Sequence, residues 1–249
     1  MTYELRKKEI LSALTTKELV DVIDIAESLE VSPITIRRDF DKLAAEGLLR
    51  RTHGGAVRNN NSSIISFDAK SIQNKEAKEH ICKLAATLIE DGDSIFIDCG
   101  STTFGLCPHI REKKITVITN SLPVFNALVC SEVSLNLIGG SYDKKRMAIH
   151  GEMAVEHIKK YYVNKAFVGV NGISQEHGLT ANSEYESSIT KAMIENSQKA
   201  ILLCDDSKIE KRSYYSFASL NTIDCLITNK KSHQLMEFKN QNPRLEILF

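Results

Sequence analysis

The sequence has no excess of charge of either sign. Its 249 residues include 32 lysines and arginines and 32 aspartates and glutamates, so the formal net charge is zero. This balance argues against a polycation that coats nucleic acid or anionic lipid without selectivity, although it permits a local basic face. Hydrophobic residues make up 42% and charged residues 26% of the chain, which indicates a globular protein with a core and argues against disorder.

Patterns for export, membrane insertion and metal binding are also missing. Residues 1–9 are charged and have no apolar segment of a secretory signal, and no run reaches the about 18 apolar residues of a membrane span. The six cysteines form no C-x-x-C pair and have no histidine at zinc-finger spacing. We therefore expect a cytoplasmic protein with no membrane partner, metal or cofactor, whose cysteines are buried free thiols.

A short polar tract, Asn59-Asn60-Asn61-Ser62-Ser63, is typical of a linker. Helical periodicity dominates before it. After it, apolar runs of strand length alternate with helical patterns, which indicates βαβ units and a parallel sheet. We predict a first domain over residues 1–58, a linker over 59–74 and an α/β domain over 75–249.

The first domain has the pattern of a helix-turn-helix followed by a hairpin. Its third helix begins at Ser32-Pro33, because a serine suits the N-cap and a proline suits the first helical position. Gly47 suits the end of that helix. Glu30-Val31 joins it to a second helix capped by Asp21, and the segment around Gly54-Gly55 is typical of a β-hairpin, the wing of a winged helix.

Charge is segregated along this domain. Residues 1–30 contain four basic and seven acidic residues, a net −3, whereas residues 31–58 contain six and three, a net +3. The basic charge therefore falls on the third helix and the hairpin, the elements of a winged helix that approach DNA. Charge segregation alone fits an ordinary solvated surface equally well, but together with the helix start and the hairpin it predicts DNA binding.

The candidate DNA contacts divide into two groups. We expect Ser32, Thr35, Arg37 and Arg38 near base edges in the major groove, and Arg50, Arg51 and His53 at phosphates or the minor groove. Either Arg37 or Arg38 fits a base contact. Asp39 is expected to pair with an arginine inside the domain.

Several predicted strands of the second domain end in glycine, hydroxyl or charged residues. Such ends follow Ser94–Asp98, Ile115–Thr119, Leu135–Ile138 and Ile201–Cys204. Ligands of open α/β sheets bind at the carboxyl ends of strands, and glycine and hydroxyl residues at a helix start can hold a phosphate. The cluster Ser101-Thr102-Thr103 taken alone is also an ordinary N-cap. The convergence of these strand ends predicts a small anionic ligand.

Motifs in both domains closely resemble those of the DeoR family of bacterial transcriptional regulators. In the first domain they are Val31–Phe40, Leu43, Gly47–Arg51 and His53–Ala56; in the second they are Asp91–Asp93, Asp98–Thr103, Thr119–Ser121, Gly139-Gly140, Gly178–Thr180 and Asp206–Lys208. The resemblance implies an N-terminal winged helix-turn-helix, mostly α with a small β-wing. It also implies a C-terminal α/β sensor domain with a mainly parallel sheet, similar in fold to ribose-5-phosphate isomerase and the CoA transferases.

The same resemblance implies a phosphorylated sugar or a related metabolite as effector. The expected effector-binding residues are Asp98, Gly100, Ser101, Thr102, Thr103, Asn120, Gly139, Gly140 and Lys208. The three hydroxyl residues would contact the phosphate, and Lys208 would supply a countercharge. Asp98 would either accept hydrogen bonds from sugar hydroxyls or only orient the loop.

Three functions fit these features. The first is a transcriptional regulator, best interpreted as a repressor of sugar-metabolism genes, that acts as a dimer or tetramer. Its two domains would change their relative placement at the tract 59–63 when the effector binds. The second is a phosphosugar isomerase with a fused DNA-binding module, for which Asp98, Glu184, Asp206 and Lys208 offer acid and base groups. The third is an architectural DNA binder without an effector. Since a metabolic isomerase does not need a DNA-binding module, we expect a regulator with no catalytic residues.

Overall fold

The computed structural model describes residues 2–17, 19–45, 48–52, 54–58 and 67–249. The linker tract 59–63, Gly47 and His53 lie outside the described residues. The chain divides into two compact units, Met1–Gln73 and Asn74–Phe249. In chain order, the first unit contains α1 (Tyr3–Thr16), β1 (Leu19–Asp21), α2 (Val22–Ser28), α3 (Pro33–Ala45), β2 (Leu49–Arg51), β3 (Gly55–Arg58) and α4 (Phe67–Ile72).

Helices α2 and α3 begin as the sequence predicts. The Asp21 carboxylate accepts a hydrogen bond of 2.7 Å from the backbone N–H of Ile23 at the start of α2. The Ser32 hydroxyl accepts one of 3.3 Å from the backbone N–H of Thr35 at the start of α3. Ile36 and Phe40 are fully buried along the inner face of α3, so this helix packs into the core of the first unit.

The predicted hairpin is confirmed as part of a three-stranded sheet. Strand β3 pairs antiparallel with β2 on one side and with β1 on the other. Strand β1 is not predictable from the sequence, because a strand of three residues has too few positions to show an alternating pattern. Gly55 allows β3 to approach β1 closely, since a Cβ at this position would lie 2.1 Å from the carbonyl oxygen of Val20.

The second unit alternates strands and helices. In chain order it contains α5 (Lys75–Thr87), β4 (Ser94–Ile97), α6 (Cys107–Ile110), β5 (Thr116–Thr119), α7 (Leu122–Leu128), β6 (Ser134–Leu137), β7 (Ser141–Asp143), β8 (Ala148–His150), α8 (Glu152–Ile158), β9 (Val163–Gly169), β10 (Gly172–Ser174), β11 (Gly178–Ala181), α9 (Glu184–Glu195), β12 (Ser197–Leu203), β13 (Tyr215–Ala218), β14 (Cys225–Ile227), α10 (His233–Gln241) and β15 (Glu246–Leu248). Short 3-10 turns cover Thr103–Leu106, Asp206–Lys208 and Leu220–Thr222.

The centre of this unit is a seven-stranded parallel sheet, which confirms the predicted α/β fold. Its strand order is β15-β14-β12-β9-β4-β5-β6. Alternate residues of β4 enter two separate cores, since Phe96 packs on one face of the sheet and Ile95 and Ile97 pack on the other. The hairpin β7–β8 and the sheet β10-β11-β13 are antiparallel additions. Because the seven strands are parallel, their carboxyl ends meet at one edge.

Three details differ from the sequence expectations. The apolar spacing of residues 75–90 predicts one helix over that segment, but α5 ends at Thr87, and the Asp93 carboxylate accepts a hydrogen bond from the Glu90 N–H in the turn that follows. The polar stretch Cys99–Thr103 predicts the start of a helix, and helical structure does begin at Thr103, but as a 3-10 turn that α6 follows. Cys130 is exposed, whereas the other five cysteines are buried free thiols as expected. None of the described helices is long and apolar enough to cross a membrane.

Candidate DNA-binding face and candidate ligand site

Helix α3 exposes the residues predicted to approach DNA. Arg37, Arg38 and Ser32 are exposed, and Thr35 is partly exposed at the start of the helix. The Ser32 and Thr35 hydroxyls lie 2.9 Å apart and hydrogen-bond to each other. The sequence therefore predicts correctly which face of α3 is buried and which is exposed, because the apolar residues recur at helical spacing and leave the arginines on the outside.

The two neighbouring arginines of β2 have different surroundings. Arg50 is exposed. Arg51 instead donates a hydrogen bond of 3.0 Å to the carbonyl oxygen of Arg37 and forms an ion pair of 3.1 Å with Asp41. Its guanidinium also lies 5.7 Å from the centre of the Phe40 ring. Arg51 thus attaches the wing to α3, a role that its position in the sequence did not indicate.

Asp39 has the internal arginine partner that the sequence predicts. Its carboxylate is 3% exposed and accepts hydrogen bonds from Arg6 of α1, at 2.6 Å from Nε and 3.2 Å from Nη2. The hydrogen bond to Asp39 raises the pKa of the Arg6 guanidinium. This fork-to-carboxylate pair joins α1 to α3 and sets the position of α3 within the first unit.

In the second unit, Asp98 orients the loop that follows β4. Its buried carboxylate accepts hydrogen bonds from the Gly100 N–H at 2.9 Å, the Thr103 hydroxyl at 2.6 Å and the Gly169 N–H at 2.7 Å. Burial raises the pKa of Asp98, and these three hydrogen bonds oppose that shift. Of the two roles considered for Asp98, this geometry supports the orientation of the loop. The Thr103 hydroxyl is thus already engaged in a hydrogen bond to Asp98, and the Thr103 side chain is fully buried.

A buried lysine that the sequence analysis missed lies against the same loop. Lys78 of α5 is only 7% exposed, and its Nζ lies 3.0 Å from the Ser101 hydroxyl oxygen. In the sequence, Lys78 is one of several lysines on an amphipathic helix and looks like a solvated residue. Only the packing of α5 against the 98–103 loop turns this ammonium group inward.

Lys208 lies beside a second buried carboxylate at the end of β12. Its Nζ is 3.6 Å from Oδ2 of Asp205, which is fully buried. Burial by itself would raise the pKa of Asp205, but the charge of Lys208, the hydrogen bonds from Ser207 and Asn74 and the charge of Lys78 together hold it below its usual range. Two ammonium groups thus act on one carboxylate, and we call Lys78, Ser101, Asp205 and Lys208 the cationic cluster.

The remaining expected ligand residues lie at the same edge of the sheet. Thr102 and Asn120 are buried, and their Oγ1 and Oδ1 atoms have no hydrogen-bond partner. The Asn120 amide donates a 2.9 Å hydrogen bond to the carbonyl oxygen of Ile149. The Gly139 N–H donates to Nδ1 of His157 at 3.2 Å. Gly140 has a φ of +149°, and a Cβ there would lie 2.7 Å from the carbonyl oxygen of His150.

A second set of buried polar side chains surrounds the hairpin β7–β8. Arg146 lies in the turn of this hairpin and is 5% exposed. It forms an ion pair of 2.5 Å with Glu186 of α9. His150 is 6% exposed, and burial lowers the pKa of its imidazole. The sequence offers no signal for this cluster, because Lys144-Lys145-Arg146 looks like an exposed basic turn until α9 covers it.

Family models match both halves of the chain. One, described as a DeoR-like helix-turn-helix domain, matches residues 6–62. Another, described as a DeoR C terminal sensor domain, matches residues 73–230. The second match alone covers more than half of the 249 residues and contains both polar clusters.

Three relatives are similar over nearly their whole length. The transcriptional repressor GlcR of Bacillus subtilis is 35% identical over 94% of this chain and 91% of its own. The lactose phosphotransferase system repressor of Lactococcus lactis is 36% identical over 95% of each chain. The L-fucose operon activator of Haemophilus influenzae is 32% identical over 98% of this chain and 99% of its own. All three names describe regulators.

Proposed function

This chain belongs to the DeoR family of transcriptional regulators, and from that membership we propose a repressor of sugar-metabolism genes whose operator binding responds to a phosphorylated sugar. Relatives named as the lactose phosphotransferase system repressor and the L-fucose operon activator support the link to sugar operons. We assign DNA binding to residues 1–58 and effector binding and self-association to 75–249; residues 59–74, assigned as the linker, include the short helix α4. The proposed location is the cytoplasm, where DNA and phosphorylated sugars occur together.

DNA recognition is assigned to α3 and the wing. The proposed contacts remain Ser32, Thr35, Arg37, Arg38, Arg50, Arg51 and His53. The exposure of Arg37 and Arg38 supports base contacts from α3, since an arginine can donate two hydrogen bonds to guanine. The exposure of Arg50 supports a phosphate contact. The contacts of Arg51 support a mainly supporting role, in which it holds the wing against α3.

The observation that carries the effector assignment is the cationic cluster. A buried ammonium group is costly unless an anion or a hydrogen-bond acceptor offsets its loss of water. Lys78 contacts the Ser101 hydroxyl, and Lys208 lies beside the buried Asp205 carboxylate at the same edge of the sheet. A phosphate beside Ser101 would accept charge-assisted hydrogen bonds from ammonium groups and further hydrogen bonds from the 98–103 loop.

We propose that effector binding releases the protein from its operator. The effector site and the DNA-binding face belong to different units, so the response is a coupling free energy between two sites. We propose no catalytic function. Asp98, one of the carboxylates considered as an isomerase base, already accepts three hydrogen bonds from its surroundings.

Substitution of Lys78 tests the effector assignment. The operator is first obtained by selection from random DNA duplexes, and the full-length protein is then titrated with it at increasing concentrations of several sugar phosphates. At least one sugar phosphate is expected to release the wild-type protein. Lys78→Met, which keeps the length of the side chain and removes its charge, is expected to raise the required concentration at least tenfold, because a charge-assisted phosphate contact is lost.

Lys83→Met is the matched control, because Lys83 lies on the same helix with a side chain that is 65% exposed. It should respond like the wild type. A wild-type protein that selects no DNA sequence, or that no sugar phosphate releases, would contradict the proposed function. An unchanged response of Lys78→Met, with a sugar phosphate still active on the wild type, would contradict only the placement of the phosphate.

A further inference from the structure

We propose that Arg146, Glu186, Asn120 and His150 form a subsite for hydroxyl groups, so that the effector is held at its phosphate by the cationic cluster and at its polyol part by these four residues. We call them the neutral cluster. The proposal rests on the function proposed above, since it takes the effector to be a sugar phosphate. It adds a second part of the same binding site, which decides which sugar is accepted.

The Arg146–Glu186 pair leaves one donor and one acceptor unused. Nη1 of Arg146 pairs with Oε1 of Glu186, while Nη2 and Oε2 are both buried without a hydrogen-bond partner. Buried polar atoms in folded proteins are nearly always satisfied, so two such atoms on one ion pair point to an additional partner. A pair of hydroxyl groups fits this arrangement, because one oxygen can accept from Nη2 and the other hydroxyl can donate to Oε2.

Asn120 and His150 add further unused groups. Oδ1 of Asn120 has no partner, although its amide nitrogen is held by the carbonyl oxygen of Ile149. Neither ring nitrogen of His150 completes a hydrogen bond, although the backbone of Tyr185 lies close to the ring. Because burial keeps this imidazole neutral, it offers one donor and one acceptor. Amide and imidazole groups of this kind suit hydroxyl partners better than a charged group.

The 98–103 loop brings the neutral cluster close to the cationic cluster. Burial raises the pKa of the Cys99 thiol, and Glu186, Arg146 and Asn120 also act electrostatically on it, so these three residues lie near the loop. Two residues further along, the Ser101 hydroxyl contacts Lys78. Two residues of chain span at most about 7 Å, so the two contacts are close together. A small molecule that lies along this loop can therefore reach both clusters.

The two clusters differ in the charge that they offer to a ligand. The neutral cluster contains one guanidinium, one carboxylate, an amide and a neutral imidazole, so it has no net charge to offer a phosphate. The cationic cluster has two ammonium groups and one buried carboxylate. A ligand with one anionic end and one polyhydroxyl end matches both, which is the chemistry of an aldose or ketose phosphate.

Titration calorimetry on the full-length protein tests this assignment. The probes are glucose 6-phosphate, galactose 6-phosphate, fructose 6-phosphate, tagatose 6-phosphate and inorganic phosphate. The wild type should discriminate among the four sugar phosphates and bind the best of them at least tenfold more tightly than inorganic phosphate. Glu186→Gln, which keeps the shape but replaces an acceptor by a donor, should lower the affinity for that sugar phosphate about tenfold and leave the affinity for inorganic phosphate within twofold.

Glu195→Gln is the matched control, because it makes the same change at an exposed position of α9. If Glu186→Gln does not fold, Arg146→Lys serves instead, because it keeps the charge and removes the second donor arm. A purely structural ion pair would lower the melting temperature without changing the preference among the four sugars, and that result would overturn the proposal. An equal loss of affinity for sugar phosphates and inorganic phosphate would also overturn it. If none of these probes binds the wild type, this proposal falls together with the effector assignment.

Discussion

At the scale of the residue, arginines of the first unit carry the same charge but perform different tasks. Arg38 is exposed on α3, whereas Arg6 pairs with the buried carboxylate of Asp39. Arg51 bonds to the backbone and to a side chain of α3, and its neighbour Arg50 is exposed. A count of basic residues therefore overstates the charge available to DNA, because some arginines serve to position the others.

Substitution of the two adjacent arginines of β2 should separate these roles. Arg50→Ala is expected to weaken specific and random DNA binding alike and to reduce the slope of log affinity against log salt by about 0.9, as expected for one lost phosphate contact. It should leave the melting temperature unchanged. Arg51→Ala should lower the stability of the first unit by about 1 kcal/mol, because it removes a backbone hydrogen bond and a partly exposed ion pair.

Salt-dependent gel-shift titrations and thermal melts of both variants check this prediction. Each variant is the control for the other, since the two residues are adjacent and carry the same charge. If Arg51→Ala changed the salt slope by a full phosphate contact while its melting temperature stayed at the wild-type value, the supporting role of Arg51 would be wrong.

At the scale of the element, the hairpin β7–β8 depends on how the chain leaves β6. Gly139-Gly140 links these strands, and both glycines were expected to bind the effector. A Cβ at Gly140 would lie 2.7 Å from the carbonyl oxygen of His150, and the φ of +149° favours glycine. A Cβ at Gly139 would have its nearest neighbour at 4.0 Å. The two adjacent glycines thus meet different constraints.

Alanine substitutions should reveal this difference. Gly140→Ala is expected to destabilise the second unit by about 1–3 kcal/mol, because the hairpin must move away to relieve the clash and because an alanine is strained at this φ. Gly139→Ala should stay within about 0.5 kcal/mol of the wild type. Urea unfolding followed by circular dichroism measures both. Equal stability of the two variants would show that the approach of the hairpin to Gly140 is not required by the fold.

For the whole molecule, the zero net charge includes an uneven distribution of charge along the first 58 residues. Basic residues concentrate in the segment 31–58, while acidic residues outnumber them in residues 1–30. Such a protein has little bulk attraction for DNA and depends on the placement of a few arginines. Two copies acting together would compensate for this weak attraction, since winged helices commonly read paired half-sites.

We therefore predict a dimer or tetramer in solution. Light scattering coupled to size exclusion at micromolar concentration should give two or four times the chain mass of 27.9 kDa. Removal of residues 1–58 should not change the number of subunits, because self-association is assigned to the second unit. A single-chain mass for the full-length protein under these conditions would contradict the prediction.

The sequence predicts the elements of this fold better than its polar sites. Serine and proline at the start of α3, and the apolar spacing of Ile36 and Phe40, are local signals that hold in any tertiary context. Lys78 and Arg146 were missed for the opposite reason. Each lies among exposed charged neighbours in the sequence, and nothing local distinguishes a buried basic residue from a solvated one.

The α/β alternation, the helix-turn-helix with its wing and the family are all predictable from the sequence, because propensity, capping and motif spacing are properties of neighbouring residues. Which side chains act together depends on the tertiary structure. The parallel sheet brings the ends of β4 and β12 to one edge, and α5 and α9 bury Lys78 and Arg146 beside them. Burial is what makes the charge of these residues significant, since removal from water requires each of them to find a partner.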